Sequence, residues 1–316
     1  MPQLSFVIPC YRSELTIERV IAEIAEVMAE DPTWTYEIIA VDDCSPDGVL
    51  PVLRQLAIRN KRLRILSLSR NVGKHSALLA GYSIAKGDYV IDLDDDLQCP
   101  TPELWRLLAP LLEPDIDYVT ARYRRRAHVW WKRLGSNLNL MLSGFLLDKP
   151  AGLRFENFNA MRAFVAKEIS RSRNPFTYME GLVLQVTTRV TTVEMTARNR
   201  GDDRTTGYTF ARSLELLLNG ITAFSIKPLR AASVLGLVTG AIGFSLLVWT
   251  TINELLHPQV SSEITFFMSI ILCSNGLTML LMGLLGEYVG RSYICLNDNR
   301  QYIVRESINV DPPERW

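Results

Sequence analysis

The run Asp94-Asp95-Asp96-Leu97-Gln98 places three carboxylates and an amide in five positions, directly after the apolar segment Tyr89–Leu93. Adjacent carboxylates repel one another unless a cation or a proton relieves them. Hard divalent ions such as Mg2+ or Mn2+ take oxygen ligands, and Mg2+ is commonly held by one or two carboxylates plus substrate phosphates. Alternate residues at a strand end point the same way, so Asp94 and Asp96 are placed to share one ion with Gln98 nearby. A plain acidic surface loop is the competing reading. The strand context and a second acidic pair, Asp42-Asp43, after another apolar run weigh against it. Ser69-Arg70-Asn71-Val72-Gly73-Lys74 leads into a helical stretch. Gly73 permits a tight turn, and Arg70 and Lys74 can reach a phosphate near a helix N-terminus. The GxxxxGK[ST] pattern of a P-loop is absent.

These residues are positioned by an alternation of strand and helix. Leu4–Pro9, Tyr36–Val41, Leu63–Leu68, Tyr89–Leu93 and Tyr118–Ala121 read as buried strands, and Thr16–Met28, Val49–Ile58, Ser76–Ala85 and Pro102–Leu112 as helices. The rhythm predicts right-handed βαβ units in a mostly parallel sheet covered on both faces. Ligands of such sheets bind at the carboxyl ends of the strands. Cys10-Tyr11, Asp42-Asp43, Ser69-Arg70-Asn71 and Asp94-Asp95-Asp96 all fall there.

Net charge is zero, with 34 Lys+Arg and 34 Asp+Glu, and 48% of residues are hydrophobic. That excludes a disordered chain and argues against a nucleic-acid binder. The distribution is uneven: residues 1–230 carry 30 basic and 27 acidic residues, and the last 86 carry 4 and 7. No Asp, Glu, Lys or Arg occurs in Ala231–Asn253 or Ile264–Gly286, each 23 residues long. As helices these windows would reach roughly 34 Å, enough for a bilayer core of about 30 Å. A pair of buried helices is the alternative to a transmembrane hairpin, but both windows are apolar all round. Arg212, Lys227 and Arg230 precede the first window, Arg291, Arg300 and Arg305 follow the second, and Glu254–Glu263 has no Lys or Arg. Positive-inside bias then puts both termini in the cytoplasm. Pro2–Pro9 reads as a strand rather than a signal peptide. Five scattered cysteines without a CxxC pair predict neither a disulfide framework nor a zinc site.

The expected organisation is a cytoplasmic catalytic domain over 1–208, an interfacial helix over 209–230, spans at 231–253 and 264–286 around an external loop at 254–263, and a cytoplasmic segment over 287–316 whose end, after Glu306, is loose. Within the first domain, 122–148 is basic and aromatic. Arg122, Arg124, Arg125, Arg126, Lys132 and Arg133 surround Trp130-Trp131. This composition suits a membrane surface facing lipid phosphates, with a solvated basic loop as the alternative.

The chain resembles the family-two inverting glycosyltransferases of GT-A fold, in the branch that uses polyprenyl phosphate as acceptor. The resemblance is carried in order by FVIPCYRSE (6–14), VDDCSPDG (41–48), LSRNVGKHSALLAG (68–81) and DLDDDLQCP (92–100). It continues through FSIKPLR, ahead of the first window, and GLLGEYVGR (283–291), ending the second. It implies a Rossmann-like sheet with a C-terminal two-helix hairpin in a bacterial inner membrane. It further implies a nucleotide-sugar donor carrying UDP or GDP, undecaprenyl phosphate as acceptor, and Mg2+ or Mn2+ as cofactor. Residue by residue, Pro9, Tyr11, Glu14, Asp42, Asp43, Lys74, Asp94 and Asp95 are the implied donor contacts. Asp94, Asp96 and Gln98 are the implied cation set, with Asp96 catalytic. Arg122 and the basic residues after it are the implied receivers of lipid phosphate. Relatives suggest homo-oligomers, and the Gly236–Gly240 spacing and Gly283 suit helix packing.

Two positions depart from the pattern. An aspartate often proposed as base has Asn157 in its place, with Glu156 adjacent and Glu180 further on as candidate substitutes. The Gly-x-Ser-Lys-Tyr motif reads Arg204-Thr205-Thr206-Gly207-Tyr208, so Arg198, Arg200 or Arg204 would supply the positive charge. A phosphate nucleophile, with a second pKa of about 6, needs positioning more than deprotonation. A protein or glycan hydroxyl acceptor, with Glu156 or Glu180 as base, is the second enzyme reading. A non-catalytic nucleotide-sugar-binding membrane protein is the third.

Overall fold

β1 (Gln3–Cys10) is buried at seven of its eight positions, as a near-continuous apolar run must be when helices cover both sheet faces. It is flanked by β2 (Thr35–Asp42) and β4 (Tyr89–Asp92), and β3 (Leu63–Leu68) lies beyond β2. All four run parallel, so the strand order reverses at β1. The structure is a computed structural model. It describes residues 1–123, 153, 155–172, 179–196, 198, 263–296 and 301–310, with single helical positions at 234, 238, 242, 245, 248 and 252.

The helices follow from spacing. α1 (Ile17–Met28) buries Ile17, Val20, Ile21, Ile24 and Val27, and α2 (Val49–Arg59) buries Val49, Leu53 and Ala57, each a stripe at three- and four-residue intervals. Both pack with Leu4, Phe6 and Ile8 of β1 in one core. α3 (Lys74–Ile84) covers the other side, and Gly81 is what lets it approach. A Cβ there would stand 2.3 Å from Cγ1 of Val7 and 3.3 Å from Cγ2 of Val41. The single helix expected over Pro102–Leu112 is instead a five-residue α4 (Leu104–Leu108) between two tight turns, Thr101–Glu103 and Ala109–Leu112. Pro110 lacks the N–H that would continue the ladder and crowds the carbonyl four residues back.

The expected fifth strand is β5 (Tyr118–Tyr123), two residues longer than its apolar pattern. Three further strands complete the eight described. β6 (Asn159–Arg162) runs antiparallel between β4 and β5, and β7 (Val190–Met195) pairs in parallel with β5. α5 (Ala163–Ser170) and α6 (Met179–Val186) lie between them in sequence. β8 (Val304–Ile308) is antiparallel to β3. Of the end expected to be loose after Glu306, Ser307 and Ile308 are held by this pairing and Asn309 by its side-chain amide, and 311–316 lies outside the described residues. Arg54 pairs with Glu306, and the Asn309 amide donates to the carbonyls of Ala57 and Leu63 at 3.1 and 2.8 Å.

Met1–Leu217 together with Arg300–Trp316 forms one compact unit, and Leu218–Asn299 forms a second. In the second, α7 (Glu263–Leu296) is a continuous helix of 34 residues that contains the whole uncharged window 264–286. Its side chains are described at scattered positions, among which Ile271, Met282, Leu285 and Val289 are exposed. Among the described residues no helix is established as a membrane span. The first window, 231–253, falls almost wholly outside them, as do the external loop and the interfacial segment 209–230.

Candidate functional site

The carboxyl ends of β1, β2 and β4 turn sharply, and three non-glycine residues with left-handed backbone sit in those turns. They are Arg12 (φ 58°), Cys44 (φ 50°) and Leu97 (φ 63°). Such conformations cost free energy and gather where surrounding structure forces them, commonly at binding sites. Here hydrogen bonds do the forcing. The Tyr11 N–H donates to Oδ2 of Asp95 at 2.9 Å, and the Thr16 hydroxyl donates to the Asp95 carbonyl at 2.6 Å. The Arg12 N–H reaches Oγ of Ser45 at 2.8 Å, and the Ser45 N–H reaches Oδ1 of Asp42 at 2.9 Å. Glu14 accepts from the Gly48 N–H at 2.9 Å while its own N–H donates to Asp47 at 3.0 Å. The loops after β1, β2 and β4 are thus one stitched surface. Pro9 lies buried beneath it and Tyr11 is 43% exposed upon it.

Asp42 and Asp43 are both buried, and their carboxylates hold backbone and side chains of neighbouring loops. Asp42 accepts from the Ser67 hydroxyl at 2.8 Å. Asp43 accepts from the N–H groups of Val72 and Gly73 at 2.7 and 2.9 Å. Gly73 takes φ 86°, a region glycine enters without penalty, and this turn delivers Lys74 as the first residue of α3. Burial raises the Asp43 carboxyl above its usual range, against the pull of those two N–H groups. Burial likewise pushes Asp95 up to about 6, opposed by the Tyr11 N–H.

Lys74 forms an ion pair with Asp94. Burial works to lower the Lys74 pKa, but the Asp94 carboxylate outweighs it and leaves the ammonium more firmly protonated. Asp96 accepts from the backbone N–H of Gln98 at 3.1 Å and from its side-chain amide. The left-handed turn at Leu97 is what folds Gln98 back onto Asp96. Asp94, Asp96, Gln98 and Lys74 are therefore brought together at the end of β4, all partly exposed. Among the described residues no three His, Cys, Asp or Glu side chains form a ready-made metal cage. A diphosphate-bound ion does not require one, because one or two carboxylates with substrate oxygens complete its coordination. The donor set Asp94, Asp96 and Gln98 is all oxygen-bearing and fits such an ion.

Glu156 and Asn157 lie in the turn before β6. The Glu156 N–H donates to Oγ1 of Thr120 at 3.1 Å, and the Asn157 carbonyl lies 3.6 Å from Sγ of Cys99. Cys99 in turn stands 3.5 Å from the Asp94 N–H, so that turn adjoins the acidic loop. Glu180 is the second residue of α6, whose Met179 N–H donates to Nδ1 of His75 at 3.2 Å, beside Lys74. Arg122 is exposed on β5, level with Glu194 of β7. Arg198 is bonded to Glu23 of α1 at 2.6 Å. Arg124, Arg125, Arg126, Lys132, Arg133, Arg200 and Arg204 lie outside the described residues.

Four residues in or under this site were not singled out by their types and spacing: His75, Asp92, Cys99 and Asn159. Asp92 sits inside an apolar run, where its acidity was the one available hint.

A family model described as Glycosyl transferase family 2 matches residues 5–170. "Uncharacterized glycosyltransferase YkcC" of Bacillus subtilis is 31% identical over 316 residues, 98% of this chain and 95% of that protein. The undecaprenyl-phosphate 4-deoxy-4-formamido-L-arabinose transferase of Proteus mirabilis is 30% identical over 327 residues, covering 99% and 96%. Among solved structures, mannosyl-3-phosphoglycerate synthase from Rubrobacter xylanophilus superposes with a TM-score of 0.51 at 19% identity, over 71% of this chain and 73% of that one. Glucosyl-3-phosphoglycerate synthase from Mycobacterium tuberculosis, in complex with Mn2+, UDP and glucosyl-3-phosphoglycerate, gives 0.50 at 20% identity, over 71% and 80%. At these identities the structural likeness is one of fold, the mostly parallel GT-A-like sheet.

Proposed function

The chain belongs to glycosyl transferase family 2, and from that premise we propose that it transfers one sugar from a nucleotide-sugar donor to undecaprenyl phosphate with inversion at the anomeric carbon. The observation that carries the acceptor is end-to-end likeness to a relative named for that lipid, 30% identical over 99% of this chain. The stitched loops after β1, β2 and β4 offer a donor surface at the point where strand order reverses, the usual place for a ligand in such sheets. Pro9, Tyr11, Glu14, Asp42, Asp43 and Asp95 form or brace that surface. Asp94 and Asp96, with Gln98, would hold a Mg2+ or Mn2+ ion. That ion supplies Lewis-acid stabilisation of the charge developing on the leaving diphosphate. Lys74, kept protonated by Asp94, adds a fixed positive charge beside the same oxygens. Arg122 begins the basic run that would receive the lipid phosphate. A dianionic phosphate needs alignment more than a base, so Glu156 and Glu180 act on this reading by placing the acceptor. With a hydroxyl acceptor one of them would serve as base.

A membrane hairpin fits the same reading. Residues on both sides of 218–299 belong to one sheet-bearing unit, because β8 returns to pair with β3. Any crossings between them must be even in number. Two uncharged windows of 23 residues match two crossings, with the sugar-transfer unit and both termini cytoplasmic in a bacterial inner membrane. A screen of UDP- and GDP-sugars with detergent-solubilised protein and undecaprenyl phosphate tests the proposal. Formation of a lipid-linked sugar supports it. Transfer only to a protein or glycan hydroxyl, or donor binding with no turnover, contradicts it.

A further inference from the structure

Asp92 closes β4 two residues before Asp94, and its side chain is 2% exposed. Its register partner on β6 is Asn159, 4% exposed. The Asn159 amide donates to Oδ2 of Asp92 at 2.8 Å and to the Glu156 carbonyl at 3.0 Å. A primary amide has two hydrogens to give, and here one goes to the strand that ends in the acidic loop and the other to the turn that carries Glu156 and Asn157. A buried carboxylate is costly unless its hydrogen bonds are met, and its neighbours Val90 and Ile91 show that apolar side chains suit this strand. The same turn is gripped from two other directions, by Thr120 of β5 and by Cys99 beyond the acidic loop. Three separate elements therefore fix one short backbone segment beside the candidate cation loop.

We propose that Asp92 and Asn159 are positioning residues: the Asp92 carboxylate orients the Asn159 amide, which holds the Glu156 carbonyl and so sets where the Glu156-Asn157 turn stands relative to the Asp94–Gln98 loop. This rests on the glycosyl-transfer reading above and deepens it. In-line displacement requires acceptor and leaving group to be aligned, and a displacement of about 1 Å can cost about 100-fold in rate. The bridge spans the two sides that must be aligned.

The test measures steady-state transfer to polyprenyl phosphate and amide hydrogen exchange of residues 155–158 in the full-length protein. Asn159→Ala and Asp92→Ala are each expected to lower kcat about 10- to 100-fold. The KM for nucleotide sugar should stay within about twofold, and exchange at 155–158 should quicken. Asp92→Asn keeps an acceptor oxygen for the Asn159 amide and should retain kcat within about threefold. The Asp92→Ala/Asn159→Ala double variant should be no worse than the poorer single one, since the pair acts as a unit. Asn159→Ser, with one donor in place of two, is a milder variant that should fall between. Unchanged exchange at 155–158 in Asn159→Ala and Asn159→Ser, or a donor KM rising in step with the loss of kcat, would overturn the proposal. Wild-type protein inactive on polyprenyl phosphate would contradict the assigned acceptor instead, and the exchange measurement, which needs no acceptor, would still decide the bridge.

Discussion

The Tyr11 N–H donates to the Asp95 carboxylate at 2.9 Å, joining the end of β1 to the loop after β4 across the point where strand order reverses. The middle acid of the three-aspartate run thus braces the proposed donor surface, while its neighbours pair with Lys74 and Gln98. Asp95→Ala should therefore loosen the Tyr11–Thr16 loop and raise the nucleotide-sugar Kd about tenfold, whereas Asp95→Asn, which keeps an acceptor, should stay within about threefold. Calorimetric titration of donor into each variant checks this, and equal effects of the two substitutions would show that charge, not the brace, matters.

Gly81 allows α3 to lie against β1, and a methyl group there would stand 2.3 Å from Val7. Gly81→Ala is expected to destabilise the protein by about 1–3 kcal/mol, the usual cost of overpacking. Denaturant unfolding measures it. Gly73→Ala meets no atom within 4 Å but must adopt φ 86°. Its cost should be smaller and should fall on activity, through the placement of Lys74.

Burial, with help from the Lys74 charge, lowers the His75 pKa to about 4. The free imidazole titrates near 6.5. Between those values the unfolded chain binds the extra proton, so this group makes stability rise with pH. Its contribution is complete above about pH 6.5 and is lost as pH falls through about 4. His75→Gln should flatten the stability profile across that window, by at most about 1.4 kcal/mol per pH unit. Wild-type and variant profiles of identical slope would contradict the neutral, accepting Nδ1 that meets Met179.

β8 protects the edge of β3, and the residue just before it meets the loop that leads to Lys74, for the Ser69 N–H donates to the Ile303 carbonyl at 2.9 Å. Ending the chain after Arg300 should expose that edge and lower Tm by several degrees, with loss of donor affinity. Glu306→Ala, which removes only the half-exposed pair with Arg54, should change stability by less than about 1 kcal/mol.

The parallel core was legible because β1–β4 are buried on both faces and read as largely apolar runs, broken only by single polar residues such as Ser5, Glu37, Arg64 and Asp92, while α1 and α2 carry clean stripes. The strand ends, and hence the convergence of Asp42, Asp43, Lys74, Asp94 and Asp96 on one edge, followed from topology. β6 and β8 were not legible. Asn159–Arg162 has four residues and no alternation to detect, and Val304–Ile308 is a half-polar edge strand whose pairing partner lies more than two hundred residues earlier. The braces formed by Asp43, Asp92 and Asp95 could not be read either. Sequence separates an acid that binds loops from one that faces ligand only when the fold says which way each carboxylate turns.

Transfer to undecaprenyl phosphate is measured most directly by quantifying nucleoside diphosphate release and lipid-linked sugar in one reaction, with wild-type protein, matched nucleotide sugar, Mn2+ and undecaprenyl phosphate. Equimolar products that depend on the lipid phosphate are expected, with loss of both, by about 1000-fold or more, in a folded Asp96→Ala variant. Nucleoside diphosphate release independent of the lipid phosphate, or full activity of Asp96→Ala with metal chelated, would contradict the proposed transfer.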